Sequence, residues 1–179
     1  MNSFVIRRPR LHFALFALFL LALFLPAAQA QTGFYGQFSG THFNLPTTNE
    51  WGAGGGFGLY SDFIKVPFGK VGGDIRLQYT RPASETNLFS TILGPRVAFH
   101  THGDLTPYAE FLFGAGHFTY GNNSPSTTQF DFRGVGGVDK KLLPRLDWRI
   151  IEVSYGDLNT YSGDLRPLTL STGIVLRLH

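Results

Sequence analysis

Asp74–Arg76 and Asp131–Arg133 are Asp-x-Arg steps in this chain, and Arg149–Glu152 follows them. Arg96, Glu110 and Arg177 hold similar mid-segment places in other stretches. Residues two apart on an extended strand share a face, so each step sets a carboxylate beside a guanidinium. The chemistry open to these nine residues is ionic pairing. Lysine is absent from the set. A solvated strand face usually carries Lys and Glu, whereas Arg is the cation suited to buried, two-bond carboxylate pairs. An unpaired buried charge is costly, but four acids can neutralise four of the five arginines, leaving one cation over.

Other reactive residues give weaker patterns. His100-Thr101-His102 is half of a metal site without a Cys or a third ligand nearby, so no metal is expected. His117 stands seven residues before Ser124, with Ser126 close by, but no nucleophile, base and orienting group fall together. No catalytic residue and no cofactor are expected. Trp51–Gly58, WGAGGGFG, lacks the Lys-Ser/Thr ending and following helix of a phosphate loop.

The elements that must hold the charges are strands. In VGGDIRLQYT, Val71, Gly73, Ile75, Leu77 and Tyr79 fall on one side, and Asp74, Arg76 and Gln78 on the other. Similar alternation recurs over about 33–43, 51–61, 71–80, 88–100, 107–120, 129–138, 146–155 and 168–178, with turn chemistry between. The alternation of the seventh segment fails at Ile150–Ile151. A one-residue bulge restores it, placing Ile150 with Trp148, Val153 and Tyr155. Eight segments with short links predict an all-β, antiparallel up-and-down meander that closes into a barrel and removes its edges.

The first thirty residues read differently. Arg7, Arg8 and Arg10 precede a Leu/Phe/Ala run, and Ala28-Gln29-Ala30 offers small residues at −3 and −1. This predicts a cleaved export signal over 1–30 and one barrel domain over 31–179. The chain has 15 Lys+Arg and 12 Asp+Glu. Without the three leader arginines the balance is even, so no basic surplus for nucleic acid remains. There is no cysteine, so an exported domain has no disulfide to hold it.

Which face points inward decides the function. A soluble lipocalin-like barrel hides the apolar face. A membrane barrel hides the charges. Gly52, Gly54, Gly56, Gly58, Gly72, Gly114 and Gly116 lie on the polar faces, where a narrow lumen needs room for Arg and Tyr. Each segment is long enough to cross a bilayer when tilted. Trp51, Tyr79, Phe99, Trp148 and Tyr155, near segment ends, suit interfacial girdles. The charges are therefore read as lumen, and the apolar face as lipid-facing.

LGPRVAFH (93–100), TPYAEFLFGAGH (106–117), FRGVGGVDKKLLPRLDWRIIEVSY (132–155) and LRPLTLSTGIVLRLH (165–179) resemble later strands of small OmpA-like outer-membrane β-barrel proteins, the acidobacterial-type group in particular. The resemblance implies an eight-stranded transmembrane barrel in the outer membrane, with periplasmic termini and four outward loops. It implies outer-membrane lipid, lipopolysaccharide and the barrel assembly machinery as partners, no assigned surface ligand, and a monomer. The expected role is structural or surface-interacting, with no catalysis. Alternatives are a lipid A-modifying enzyme, a narrow ion-conducting barrel, or a soluble binding barrel. Such barrels usually end in an aromatic residue; here Leu178 and His179 close the chain.

Overall fold

A computed structural model describes residues 31–44, 49–82, 86–101, 103–120, 126–160 and 163–178. The expected leader, His102, Ser124 and His179 lie outside the described residues, as do parts of all four expected loops.

Nine strands form among the described residues: β1 (Gln31–Asn44), β2 (Asn49–Val66), β3 (Gly69–Pro82), β4 (Thr86–Phe99), β5 (Leu105–Tyr120), β6 (Thr127–Leu143), β7 (Leu146–Thr160), β8 (Gly163–Leu165) and β9 (Leu168–Arg177). Each pairs antiparallel with its chain neighbour through β7. The short β8 and the longer β9 both pair with β7, at Leu158↔Leu165 and Tyr155↔Leu168. Across the break between them the Gly156 N–H donates to the Pro167 carbonyl at 3.1 Å. They make one stave. Pairing of β1 with β9, from Gly33↔Arg177 to His42↔Leu168, closes the sheet. The result is an eight-staved, up-and-down barrel.

The strands run past the limits that hydropathy suggests. Residues 139–145 were expected to be a turn, but β6 continues to Leu143 and the turn narrows to Pro144-Arg145. Residues 156–167 were expected to be a loop, but β7 continues to Thr160 and β8 pairs with it. Hairpin ladders need only backbone hydrogen bonds, so they extend where neither face must be apolar and alternation carries no signal.

The bulge in β7 is present, with a correction. Val138 pairs with Ile151 and Asp139 with Arg149, so Ile150 is the inserted residue. Ile151, not Ile150, takes the exposed outer position beside Val153 and Tyr155. A bulge releases backbone groups from the ladder. Here the Thr172 hydroxyl donates to the Arg149 carbonyl at 2.9 Å, and the Trp148 indole N–H donates to that hydroxyl at 3.2 Å.

Burial follows the inverted order. Phe34, Phe38, Phe57, Ile75, Phe111, Phe132, Leu170 and Ile174 are exposed on the outer wall, Phe38 at 80%. Asp74, Arg76, Arg96, Glu110, Arg133, Arg149 and Glu152 are buried. Two ends are distinct. The loop end carries the connections from β1 to β2, β3 to β4, β5 to β6 and β7 to β9. The turn end carries those from β2 to β3, β4 to β5 and β6 to β7, with both chain ends of the barrel.

Candidate functional site: the lumen

Alternation along every stave sends one set of side chains inward. At the loop end that set is apolar: Phe43, Leu88, Phe118, Leu158 and Leu165 form a buried cluster. Alternation does not announce this cap, because Leu158 and Leu165 fall in 156–167, where the turn chemistry predicts a loop.

Beneath the cap Arg133 pairs with Asp131 through two bonds, Nε to Oδ1 at 2.9 Å and an Nη to Oδ2 at 2.6 Å. Its remaining donors reach Gln78 and Ser90, each at 2.8 Å. The Asp-x-Arg step thus works as its spacing suggests, within one strand.

The middle layer centres on Glu152. Arg76 donates to its two oxygens at 2.8 and 3.2 Å. Arg149 donates at 3.0 Å, the Tyr108 hydroxyl at 2.7 Å and the Gln37 amide at 3.2 Å. Arg76 also reaches Glu110 at 2.6 Å and Asp74 at 3.3 Å. The Tyr35 hydroxyl donates to the same Asp74 oxygen at 2.9 Å. Arg96 donates to the other Glu110 oxygen at 2.5 Å. One guanidinium therefore joins carboxylates from β3, β5 and β7 across the lumen.

Guanidinium and phenol rings alternate along this layer. Arg96 lies over Tyr60 at 4.3 Å and over Tyr108 at 4.0 Å. Arg149 lies over Tyr108 at 4.7 Å and Tyr35 at 4.2 Å, and Arg76 over Tyr35 at 5.5 Å. Desolvated contacts of this kind contribute up to about 2 kcal/mol each. Each tyrosine stands opposite a glycine: Tyr60 on Gly33, Tyr35 on Gly58, Tyr108 on Gly137. A Cβ on any of these glycines would lie within 2.5 Å of the facing ring or its hydroxyl. The rings lie flat across the neighbouring strand, and the arginines stack on them.

All nine charges named from the sequence project inward, Arg177 being only half-buried at the turn end. There it donates to Asp147 at 2.5 Å. Three acids were missed: Asp62, Asp139 and Asp147 are buried too. Asp139 takes Arg149 at 3.0 Å, and Arg96 stands 3.6 Å from both Asp62 and Asp139. The expected surplus of one arginine is corrected to seven carboxylates facing five guanidiniums. Asp62 and Asp139 lie just past the ends assigned to their strands, while Asp147 shares the parity of Arg149, a signal that was available.

At the turn end the lumen opens into a cavity of about 220 Å³ lined by Tyr60, Asp62, Arg96, Asp139, Asp147 and Arg177, among others.

The aromatic girdle residues Trp51, Tyr79, Phe99, Trp148 and Tyr155 are all exposed on the outer wall. Trp51, Tyr79 and Tyr155 lie toward the loop end, and Phe99 and Trp148 toward the turn end. His100 and Thr101 sit in the turn after β4, and the described residues hold no cluster fit for a metal. Ser126 is exposed. His117 bonds instead to the Thr128 hydroxyl, Nδ1 to Oγ1 at 2.9 Å, on the outer wall.

No protein-family model matches the chain, and neither does the sequence of any curated protein. Solved structures do match. Neisserial surface protein A aligns with a TM-score of 0.70 at 12% identity, over 83% of this chain and 99% of that one. Ail, the attachment invasion locus protein of Yersinia pestis, aligns at 0.55 and 17% identity, over 83% and 99%. The outer membrane enzyme PagL aligns at 0.50 and 14%, over 78% and 98%. Sequence identity this low speaks to architecture alone, and on that level the chain has the fold of the small eight-stranded outer-membrane β-barrels.

Proposed function

We propose that this protein is an integral barrel of the outer membrane, structural or surface-interacting, with a packed lumen and no catalytic role. The inversion of burial carries the reading: phenylalanines, leucines and isoleucines ring the outside, while ion pairs fill the centre. A closed ladder satisfies the backbone, as a hydrocarbon solvent demands. The turn end then faces the periplasm and the loop end the exterior. The apolar cap and the cross-linked arginines argue against a diffusion pore, since side chains fill the interior of an eight-stranded barrel. Its surroundings are lipid and lipopolysaccharide, reached through the barrel assembly machinery, and it acts as a monomer.

Membrane extraction and gel migration test this. The protein should stay with the membrane fraction until detergent is added, and should migrate faster unboiled than boiled. Recovery in aqueous buffer would favour the soluble binding barrel.

One observation favours a second reading, an enzyme acting on membrane lipid. His117 and Thr128 form an exposed base–hydroxyl pair on the outer wall, the elementary arrangement of an activated nucleophile. On that reading Thr128 Oγ1 attacks an acyl ester while His117 takes its proton; the ester C–O bond breaks, His117 returns the proton to the leaving alkoxide, and water then hydrolyses the acyl-threonine. Expression should then shift the mass of lipid A, and His117→Ala should abolish the shift. An unchanged mass upholds the non-catalytic reading.

A further inference from the structure

The chain has four lysines, Lys65, Lys70, Lys140 and Lys141, and all four lie at the turn end. Lys65, Lys140, Lys141 and Arg145 are exposed there, and Asp104 is the exposed acid at that end among the described residues. Lys65, Lys140 and Arg145 make no ion pair with the lumen acids among the described residues, while Lys141 stands opposite Asp147 at the lumen mouth. Ile64, Phe68, Leu142 and Leu143, large and exposed, stand among them.

Two hairpins carry this set, β2–β3 and β6–β7. In the ring β4 and β5 separate them on one side, and β9 and β1 on the other. The cations therefore stand on opposite sides of the ring, at the same end. Lysine stems can lie along an apolar wall while their ammonium groups reach the phosphate layer. A positive rim above an apolar band matches a negative plane above hydrocarbon.

We infer that the turn end is a binding collar for anionic phospholipid headgroups, phosphatidylglycerol-like in chemistry, in the leaflet that it meets. This rests on the membrane reading above. The collar selects by charge, so it should weaken with salt.

The chain supplies its own probe. Trp148 pairs in register with Lys140 on the exposed wall, whereas Trp51 lies near the loop end. Trp51→Phe protein in phosphatidylcholine vesicles, challenged with brominated phosphatidylglycerol or brominated phosphatidylcholine, reports contact as quenching of Trp148. The expected relative binding constant is roughly threefold or more in favour of the anionic lipid, given that each basic residue at such a surface is worth up to about fivefold. It should fall toward one in the variant with Lys140→Gln, Lys141→Gln and Arg145→Gln, and at high salt. Should that variant not fold, Lys140→Gln alone should lower the ratio. Lys65→Gln, on the opposite hairpin, should leave it unchanged. Trp148→Phe protein, reporting from Trp51, should show no preference. A ratio of one at Trp148, an equal preference at Trp51, or a preference untouched by the Lys and Arg changes would overturn the collar. Absence of quenching by either lipid would overturn the membrane reading itself, and the collar with it.

Discussion

Tyr108 lies across Gly137, its directly opposed residue on β6, and a Cβ on that glycine would stand 2.4 Å from the tyrosine hydroxyl oxygen. The same ring carries Arg96 at 4.0 Å and Arg149 at 4.7 Å, and its hydroxyl donates to Glu152. One missing side chain on β6 thus sets where a ring on β5 can lie. The ring in turn sets where two arginines stack.

Gly137→Ala should lift the ring and disturb both arginines. Overpacking typically costs about 1–3 kcal/mol, and this site stands at the junction of several pairs. Urea unfolding of the barrel in lipid vesicles would measure it. The cost of Gly137→Ala should shrink when Tyr108→Ala is already present, because the clash is then gone.

Glu152→Gln keeps the shape but removes the charge that Arg76 and Arg149 share. Breaking a buried ionic set by removing one partner costs about 3–5 kcal/mol. The same unfolding experiment should show a loss in that range. Glu152→Gln combined with Arg149→Met should lose less than the sum of the two single changes.

Thr172→Val removes the hydroxyl that donates to the Arg149 carbonyl at the bulge. Losing a hydrogen bond of this kind costs about 0.5–1.5 kcal/mol. Thr172→Ser retains the hydroxyl and should retain most of the stability, which separates the hydrogen bond from the lost methyl packing.

The two ends of the lumen should differ in their access to water. The chain has no cysteine, so single introduced thiols are clean reporters. Thr106→Cys, in the turn-end cavity, should react quickly with a small charged thiol reagent. Leu88→Cys, in the apolar cap, should resist it. Equal labelling would mean that the cap does not close the loop end.

Much of this architecture was readable from alternation. Asp74–Arg76 and Asp131–Arg133 announce an inward ionic face, because parity fixes which residues share a side. The stretch from Trp148 to Tyr155 also announces its bulge, although parity alone did not say which isoleucine was inserted. What escaped was of two kinds. Asp62, Asp139, Leu158 and Leu165 sit beyond the apolar bands, where a ladder continues without a hydropathy signature. The glycine partners of Tyr35, Tyr60 and Tyr108 needed register, and register depends on turn length as well as composition. Glycine on polar faces was legible as a demand for space, but its occupants were not.

The seam between β1 and β9 joins residues separated by nearly the whole described chain, as in Gly33↔Arg177. No shorter fragment can make that joint. Until the final strand arrives, the sheet has two ragged borders, each a template for adhesion to other chains. Contacts this distant are also slow to form. A sheet still without Leu168–Arg177 therefore keeps both borders open, and the docking of that one strand removes the two together.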